Sequence, residues 1–483
     1  MDQFFRLFVL AAIAPALGMP RIGAGDTLQQ GSPPRHGRSY YVAPGGTSFG
    51  DGSERRPWDL KTALAGGGGP SRVQPGDTIW LRGGTYRGAF RSTVAGREGA
   101  PVVVRQFPGE RAVLDGAGPA RSSTLYVAGD YSVFWGFELT NSSPQRTSPS
   151  PGSDFRPNVV VPAAAHTKFI NLVVHDGGVA FYTEPKFPDI EISGCIIYNN
   201  GWQGPDRGHG HALYIKNYTG PLVVRDNVMF NQYGYGVHGY TNATTGKLIN
   251  ITIEGNVAFN NGALAQRNSL SSNILLGGEA YAAGDVVRDN VAYYSPVLRA
   301  AGANVMIGWR KVENDDVVVE HNYLVGGSPV LEFGYWKAAR VSNNTLIGAA
   351  GPAIIRRDAA ARGQIWRDNE EHSSATTTKV VVRSNLYEKG RAHVVVFNWA
   401  RDSAASVDVS GILAPGDRYE VRNVQDVFGA PVATGTVAGS SITILLRGVT
   451  PPVPVGLTSS PAPKTGPAFD VFLVTRTPAV PKS

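Results

Sequence analysis

A short pattern centred on asparagine recurs along the middle of the chain. It reads apolar-x-apolar-x-x-Asn-apolar-apolar, and the interval between copies ranges from 22 residues (322 to 344) to 41 residues (344 to 385). Such a spread indicates one constant unit with insertions of different length. The copies, some imperfect, are centred on Asn171, Asn227, Asn256, Asn290, Asn322, Asn344 and Asn385, with Cys195 and Gly136 in the equivalent place in two further segments.

This repeat predicts an all-β solenoid of stacked parallel strands. The apolar residues alternate as in a strand, and the segments between them are rich in Gly, Asn and Asp. Asparagine suits a repeated turn because it tolerates the left-handed conformation and because stacked amides can bond from coil to coil. We assign residues 39–403 to this solenoid, with one short helix in DLKTALAGG after Trp58.

The two ends of the chain differ from the repeat region. Residues 1–20 contain one arginine, a short apolar run and Ala14-Pro15-Ala16, which predicts a cleaved secretory signal followed by a linker over residues 21–38. We therefore expect a protein that is secreted, periplasmic or on the cell surface, and free of the membrane after cleavage. The asparagine rhythm is lost after Ala404, so residues 404–483 are predicted to form a small antiparallel β cap over the last coil. A separate carbohydrate-binding module is the alternative.

Charge and cysteine content narrow the choice of partner. The formal net charge is +7, and the positive residues are dispersed rather than clustered. This favours an anionic polysaccharide over a nucleic acid as the partner. Cys195 is the only cysteine, so no internal disulfide can form, and we expect a monomer with a buried thiol.

The repeat and the entry segment together resemble a known superfamily. YYVAPGGTSFGDGSERRPWDLKTAL followed by PGDTIWLRGGTYRG looks like the start of many secreted bacterial β-helix proteins. Over residues 39 to 400 the chain resembles the right-handed parallel β-helix proteins of the pectin-lyase-like superfamily. That resemblance implies the fold, but the superfamily includes polysaccharide lyases, glycoside hydrolases, epimerases, esterases and phage spikes, so it does not define the activity.

Polar and aromatic side chains are predicted to form a row on one outer face of the solenoid. Alternation places Tyr214 and Lys216 outward in HALYIKN, and His238 and Tyr240 outward in YGVHGYTN. Equivalent positions of stacked coils lie one above another. The same row is expected to include Trp309, Arg310, Glu332, Tyr335 and Arg356.

The predicted row contains the groups that β-elimination at a uronic acid requires. The C5 proton lies α to a carboxylate, so a base must take it, a cation must stabilise the developing charge and an acid must serve the leaving oxygen. We assign Lys216 or His238 as the base, Tyr240 as the acid and Arg310 as the cation. Substrate contacts are predicted for His209, His211, Tyr214, Trp309, Glu332, Tyr335 and Arg356.

The histidine pair in RGHGHALYIKN raises the question of a metal. His209 and His211 would share one face of a strand and could bind a metal ion with His175 or His238. No carboxylate is fixed beside them, and the aspartate clusters of calcium-binding pectate lyases have no counterpart along these strands. We therefore predict no cofactor and no metal site, with calcium or another divalent metal as the alternative.

A glycoside hydrolase is the second functional interpretation. It requires two carboxylates about 5 to 9.5 Å apart across the scissile bond. Gly208-His209-Gly210 is similar to an element of polygalacturonase-type hydrolases, but the aspartate motifs that precede that element in those enzymes are missing here. The available carboxylates are Glu184, Asp206, Glu279 and Glu332.

Aromatic residues allow a third interpretation without catalysis. The rings on which sugars could stack are those of Trp202, Tyr233, Tyr235, Trp309, Tyr335 and Trp336. The protein would then bind glycans or serve as a structural surface protein. Against this, the outward residues differ from coil to coil, which is typical of a site rather than of a structural row.

Overall fold

The computed structural model describes residues 37–68, 72–118, 122–152, 155–242, 244–266, 271–298, 302–348, 352–358 and 362–477. These described residues belong to one compact unit. The predicted secretory signal and nearly all of the predicted linker lie outside the described residues. None of the described helices has the length and hydrophobicity that a membrane crossing requires.

Three long parallel sheets form the solenoid, and each coil passes through them in the order I, II, III. Sheet I contains Ser39–Val42, Thr78–Leu81, Val102–Gln106, Ser132–Trp135, Thr167–Ile170, Ile190–Ser193, Leu222–Arg225, Ile251–Glu254, Asp285–Arg288, Asn314–Glu320, Trp336–Ser342 and Gly363–Arg367. Sheet II contains Gly84–Arg87, Ala112–Asp115, Glu138–Thr140, Val173–His175, Ile196–Tyr198, Val228–Phe230, Val257–Phe259, Val291–Tyr293, Tyr323–Val325, Thr345–Ile347 and Glu370–His372. Sheet III contains Phe90–Ser92, Leu125–Val127, Val160–Pro162, Phe181–Tyr182, Leu213–Ile215, Val237–Gly239, Ile274–Leu276, Val305–Ile307, Leu331–Phe333 and Ile354–Arg356.

These sheets confirm the predicted parallel β-helix. Inward side chains from all three sheets form one continuous core, in which rings stack along the axis, as Phe134 does on Phe169 with 5.5 Å between ring centroids. The short helix predicted after Trp58 is Leu60–Leu64, capped by the Asp59 side chain, and it buries Leu60 and Leu64 in the same core.

The turn between sheets I and II uses two adjacent residues in each coil. The first has a left-handed backbone, as in Asp226 (φ 54°) and Gly255 (φ 67°). From the coil of Asn227 onward, the second is an asparagine, buried in every coil except that of Asn369, whose Oδ1 accepts the backbone N–H of the equivalent residue one coil earlier; the distance from Asn227 N to Asn256 Oδ1 is 3.0 Å. This amide ladder consists of Asn227, Asn256, Asn290, Asn322, Asn344 and Asn369.

Three predicted members of the repeat fall outside the ladder. Asn171 and Gly136 are the left-handed residues of their turns, one position before the ladder place. Asn385 lies in the antiparallel part of the chain, and Asn369 takes the ladder place instead. The prediction placed both properties on one asparagine. In the structure, one residue of the turn adopts the left-handed backbone and the next residue forms the amide hydrogen bond.

A five-stranded antiparallel sheet follows the last coil. Its order is Lys379–Ser384, Arg391–Phe397, Phe469–Arg476, Arg418–Asn423 and Ala433–Thr436, and a separate pair joins Ala404–Asp408 to Ser441–Leu445. Other small elements are the antiparallel pair Trp202–Gln203 and Gly208–His209, the parallel pair Leu248–Ile249 and Ala282–Ala283, and the 3-10 turn Val424–Asp426. The antiparallel strands therefore begin at Lys379, before the predicted boundary at residue 404.

The antiparallel sheet covers the flank of the solenoid rather than its last coil. The outer face of sheet II is apolar, with stacked rings at Tyr198, Phe230 and Phe259. Phe397 and Phe469 pack on this column, and Phe469 lies parallel to Tyr293 with 4.1 Å between centroids. Exposure of this apolar outer face to water would be unfavourable, so the antiparallel sheet packs here. The prediction that it covers the last coil was wrong for this reason.

Candidate functional site

A groove of about 800 Å³ lies on the outer face of sheet III. It follows the coils that contain Phe181–Tyr182, Leu213–Ile215 and Val237–Gly239, and one wall is the hairpin of Trp202–Gln203 and Gly208–His209. The lining residues are Asn158, Val179, Tyr182, Trp202, Arg207, His209, Gly210, His211, Tyr214, Lys216, Tyr235, His238, Tyr240, Trp309 and Arg310.

Lys216 lies in the groove with most of its side chain buried. Its Nζ donates a hydrogen bond to Tyr182 Oη at 2.7 Å and lies over the rings of Tyr182 and Tyr214, 4.6 and 4.7 Å from their centroids. Among the described residues, no carboxylate forms an ion pair with this ammonium group. The lysine is therefore held by aromatic faces and one phenol, so its charge is open to an acidic ligand.

Two neutral histidines lie next to Lys216. Burial, together with the charges of Arg207 and Lys216, lowers the pKa of His238 to about 3, and burial beside His238 places the pKa of His211 well below its usual value. The ring centroids of the two histidines are 4.5 Å apart, and Nδ1 of His211 accepts the backbone N–H of Tyr235. Both imidazoles are thus uncharged near neutral pH.

The far end of the groove holds an aromatic and cationic pair. Tyr240 stacks on His238 and meets Trp309 edge-on, with ring centroids 5.0 and 6.1 Å away. Arg310 extends beside them and forms a 2.6 Å ion pair with Glu279. Burial and the Glu279 carboxylate raise the pKa of Tyr240, so its hydroxyl keeps its proton near neutral pH and can serve as an acid.

The hairpin wall is fixed by local contacts. Trp202 stacks on His209 with 5.3 Å between centroids, and Nε2 of His209 lies 2.9 Å from Oδ1 of Asp206. Arg207, at the tip, adds a positive charge to the groove. Buried Arg146 donates to the carbonyl oxygens just before Trp202, at Asn199 and Gly201, which positions the base of the hairpin.

The structure brings most of the predicted site residues together. The predicted register is confirmed, because Tyr214 pairs with His238 while Leu213 and Val237 point inward. The residues that line the groove as one group are Lys216, His238, Tyr240, Arg310, His209, His211, Tyr214 and Trp309. Their roles stay predictions.

Three predicted contacts lie elsewhere. Glu332 and Tyr335 line a smaller neighbouring depression that shares Trp309 and Arg310 with the groove. Arg356 does not join the row: it pairs in register with inward Phe333, and its guanidinium packs over Trp366, 4.4 Å from the ring centroid. The neighbouring arginine, Arg357, takes the outward place and forms an ion pair with Glu332 at 2.8 Å.

Sequence reasoning missed Tyr182 and Arg207 as groove residues, whereas Tyr235 and Trp202 were expected only as rings on which sugars stack. Tyr182 was detectable, because FYTEP follows Asn171 by about the length of one sheet II strand and one turn. Arg207 directly precedes the histidine motif. The Arg207 side chain reaches the groove only because of the hairpin around it. The two strands of this hairpin are too short to be recognised from the alternation of apolar and polar residues.

His175 belongs to a different part of the molecule. It lies on sheet II between Glu138 and Asp176, with ring nitrogens 3.0 and 2.8 Å from their carboxylate oxygens. It therefore does not join His209 and His211 as a ligand set. In the described part of the chain, no three His, Cys, Asp or Glu side chains are placed so that they could hold a metal ion together.

The parallel β-helix and the aromatic, cationic groove on sheet III define a class of protein, the right-handed β-helix proteins that carry a site on one outer sheet. Residues 40–302 match the model of one family of that class, described as "Pel9A-like, right handed beta helix region". The chain belongs to this family.

Curated relatives share parts of the sequence. Pectate lyase L of Thermoclostridium stercorarium is 23% identical over 296 residues, which cover 59% of this chain and 22% of that protein. Pectate lyase L of Dickeya dadantii (strain 3937) is 35% identical over 122 residues, which cover 22% of this chain and 27% of that protein. The chain thus spans about a quarter of the length of these relatives.

Solved structures give more distant similarity. Pectate lyase Pel9A aligns with a TM-score of 0.42 at 19% identity, over 69% of this chain and 80% of that chain. The GH136 lacto-N-biosidase from Eubacterium ramulus aligns with a TM-score of 0.43 at 14% identity, over 69% of this chain and 68% of that chain.

Proposed function

We propose that this protein is a polysaccharide lyase that cleaves a uronate-containing chain by β-elimination. The observation that carries the proposal is Lys216, a mostly buried lysine among tyrosines in a groove that also holds Arg207 and Arg310. Arg207 and Arg310 pair with Asp206 and Glu279, but Lys216 has no carboxylate partner among the described residues, and an acidic sugar supplies it with one. The similarity to proteins named pectate lyase makes pectate the first substrate to test.

Lys216 is favoured over His238 as the base. A group whose pKa is about 3 accepts a proton weakly near neutral pH, and His238 is such a group because of burial and the cations around it. An amine that has lost its proton is a far stronger base. We therefore assign proton abstraction to the lone pair of Nζ of Lys216 and a substrate contact to His238.

The remaining groups complete the elimination. Nζ of Lys216 takes the C5 proton, the electron pair forms the C4–C5 double bond, and the C4–O bond breaks. Tyr240 gives its hydroxyl proton to the leaving oxygen, since its raised pKa keeps it protonated. Arg310 and Arg207 stabilise the negative charge that develops on the uronate carboxyl group.

The hydrolase interpretation has less support. Among the described residues that line the groove, none carries a carboxylate, whereas glycoside hydrolysis by the usual route needs two. Asp206 is engaged with His209 and Glu279 with Arg310. Hydrolysis and binding without turnover are the competing outcomes of the experiment below.

The test measures two products at once. The purified protein is incubated with pectate, alginate and neutral glycans, while ultraviolet absorbance of the unsaturated product and new reducing ends are followed together. We expect both signals to rise on an acidic glycan. New ends without absorbance would indicate a hydrolase, and glycan binding without either signal would indicate a binding protein; both results contradict the proposal.

Two variants test the assignment of the base. Lys216→Met keeps the packing on the tyrosine rings and is expected to lower kcat by about 100- to 10,000-fold, the usual contribution of a general base. His238→Gln should lower it much less. Lys168→Met is the matched control, because Lys168 also donates to a tyrosine, Tyr387, at 2.9 Å, but lies on sheet I. Equal activity of Lys216→Met and the wild type would reject the assignment.

A further inference from the structure

A second depression of about 230 Å³ continues beyond the groove. Trp309 and Arg310 line both, and Glu332, Tyr335 and Arg357 line only the second. The two depressions therefore meet at Trp309 and Arg310, on the same outer face of sheet III.

The backbone ladder connects Lys216 to this depression. Backbone N–H groups of Tyr240, Gly277, Gly308, Gly334 and Arg357 each donate to the preceding coil, at Ile215, Gly239, Leu276, Ile307 and Phe333. This places Lys216, Tyr240, three glycines and Arg357 in one row. Five strand spacings of about 4.8 Å put the two ends of the row roughly 24 Å apart.

The glycines leave the row open between its two ends. A Cβ at Gly308 would lie 1.9 Å from the carbonyl oxygen of Gly334, and one at Gly334 would lie 2.6 Å from Cβ of Arg357. The carbonyl group of Gly334 thus requires glycine at position 308, and a side chain at position 334 would collide with the side chain of Arg357. The row therefore carries no side chain between Tyr240 and Arg357, a stretch that we call the trench, and two of its glycines, Gly308 and Gly334, line the second depression.

The side chains at the end of the trench fit an acidic sugar. The ion pair with Glu332 uses Nε of Arg357, and an arginine has five N–H donors, so further donors can bind a carboxylate. Trp309 and Tyr335 supply aromatic rings. Arg310 and Tyr335 also have left-handed backbones (φ 53° and 66°), which are costly for such residues and cluster at functional sites.

We propose that Trp309, Tyr335 and Arg357 form a distal subsite, which binds a second uronate residue of the polysaccharide several sugar units away from the one at Lys216. The inference rests on the proposed function, because it assumes a uronate chain in the groove. Arg357 determines how strongly the protein prefers long chains over short ones. Glu332 holds the guanidinium group of Arg357 towards the trench.

The experiment compares chain lengths. Wild type and Arg357→Gln are assayed on a homologous series of oligouronates, from the disaccharide to chains long enough to span the row. We expect Arg357→Gln to lower kcat/KM about tenfold on the longest chains through KM, with kcat and all short-chain values unchanged. Arg340→Gln is the matched control, since Arg340 pairs with Glu320 at 3.0 Å and is equally exposed, but lies on sheet I.

The same series separates this inference from the proposed function. Direct binding of the oligouronates is measured alongside turnover, so a length-dependent loss of affinity in Arg357→Gln supports the subsite even if no oligouronate is cleaved. An equal loss on short and long chains, or no loss on either, overturns the subsite. An effect of Arg340→Gln as large as that of Arg357→Gln would overturn it as well.

Discussion

The ammonium nitrogen of Lys216 lies 2.7 Å from the phenolic oxygen of Tyr182, one coil away on sheet III. The phenol accepts the hydrogen bond, and the ring of the same tyrosine lies under the positive charge. Tyr182 therefore fixes the position of Nζ relative to the groove. Among the described residues, Tyr182 is the only hydrogen-bond partner of that nitrogen.

Removing the phenol oxygen should disturb Lys216 without unfolding the protein. Tyr182→Phe keeps the ring but loses a hydrogen bond to a charged group, worth about 1.5–3 kcal/mol. We expect kcat/KM for elimination to fall about tenfold or more. The control is Tyr126→Phe, because Tyr126 is an outward tyrosine of the same sheet with a cation, Arg91, over its ring. A drop of similar size in both variants would contradict the positioning role.

His175 makes folding stability depend on pH. Burial lowers its pKa, but hydrogen bonds to Asp176 and Glu138 outweigh burial and raise the value from 6.5 to about 9. The folded state therefore holds this proton more tightly than the unfolded state. The resulting stability is fully present below pH 6.5 and is lost as the pH rises through about 9.

The measurement is urea unfolding of the wild type and His175→Gln across that pH range. We expect the difference in unfolding free energy between them to shrink by up to about 3 kcal/mol as the pH rises, since one pKa unit corresponds to about 1.4 kcal/mol. A difference that stays constant with pH would show that the proton on His175 does not stabilise the fold.

The amide ladder should be a major source of stability. Oδ1 of Asn256 accepts from the backbone and side chain of Asn227, and its Nδ2 donates to the carbonyl of Val224 at 2.9 Å. Asn256→Ala leaves the buried backbone N–H of Asn227 without this acceptor and removes the bonds to Asn227 Nδ2 and to the Val224 carbonyl, and a buried unpaired group costs about 1–3 kcal/mol. We expect the unfolding free energy to fall by about 3 kcal/mol or more in urea titrations. Asn385 lies outside the ladder, so Asn385→Ala should lower the unfolding free energy clearly less.

The antiparallel sheet is expected to be inseparable from the solenoid. A chain that ends at residue 403 loses Phe469–Arg476, the strand that pairs with Arg391–Phe397, and uncovers the apolar column on sheet II. Such a chain should aggregate and bind a hydrophobic dye, as judged by sedimentation and fluorescence. If it remains soluble and monomeric, the flank cover is dispensable and residues 404–483 are an independent unit.

The solenoid could be predicted because its signal repeats. Each coil repeats the same alternation of apolar residues and the same turn. An error of assignment in one coil, such as Asn171 instead of Leu172, therefore does not change the predicted fold. The flank position of the antiparallel sheet was missed, although the triplets VMF, VAF and VAY are apolar on both faces of the strand. Such fully apolar triplets indicate that both faces of the strand are buried. They do not indicate which other segment of the chain packs on the outer face.

The candidate site was predictable where a strand carried it. Tyr214, Lys216, His238 and Tyr240 follow from alternation and parallel stacking. Arg356 was placed one residue away from the true outward position, Arg357, because the last coil has no downstream repeat to fix its register. The burial that makes His238 a poor base arises from tertiary packing and has no counterpart in the local sequence.

The sheet that covers the flank also restricts how such a chain can evolve. In an open solenoid, the gain or loss of one coil changes only the length. Here Phe397 and Phe469 match particular rings on successive coils, so an added coil would shift every ring past its partner. Variation among natural homologues should therefore accumulate in the loops between strands, while the number of coils beneath the antiparallel sheet is inherited unchanged.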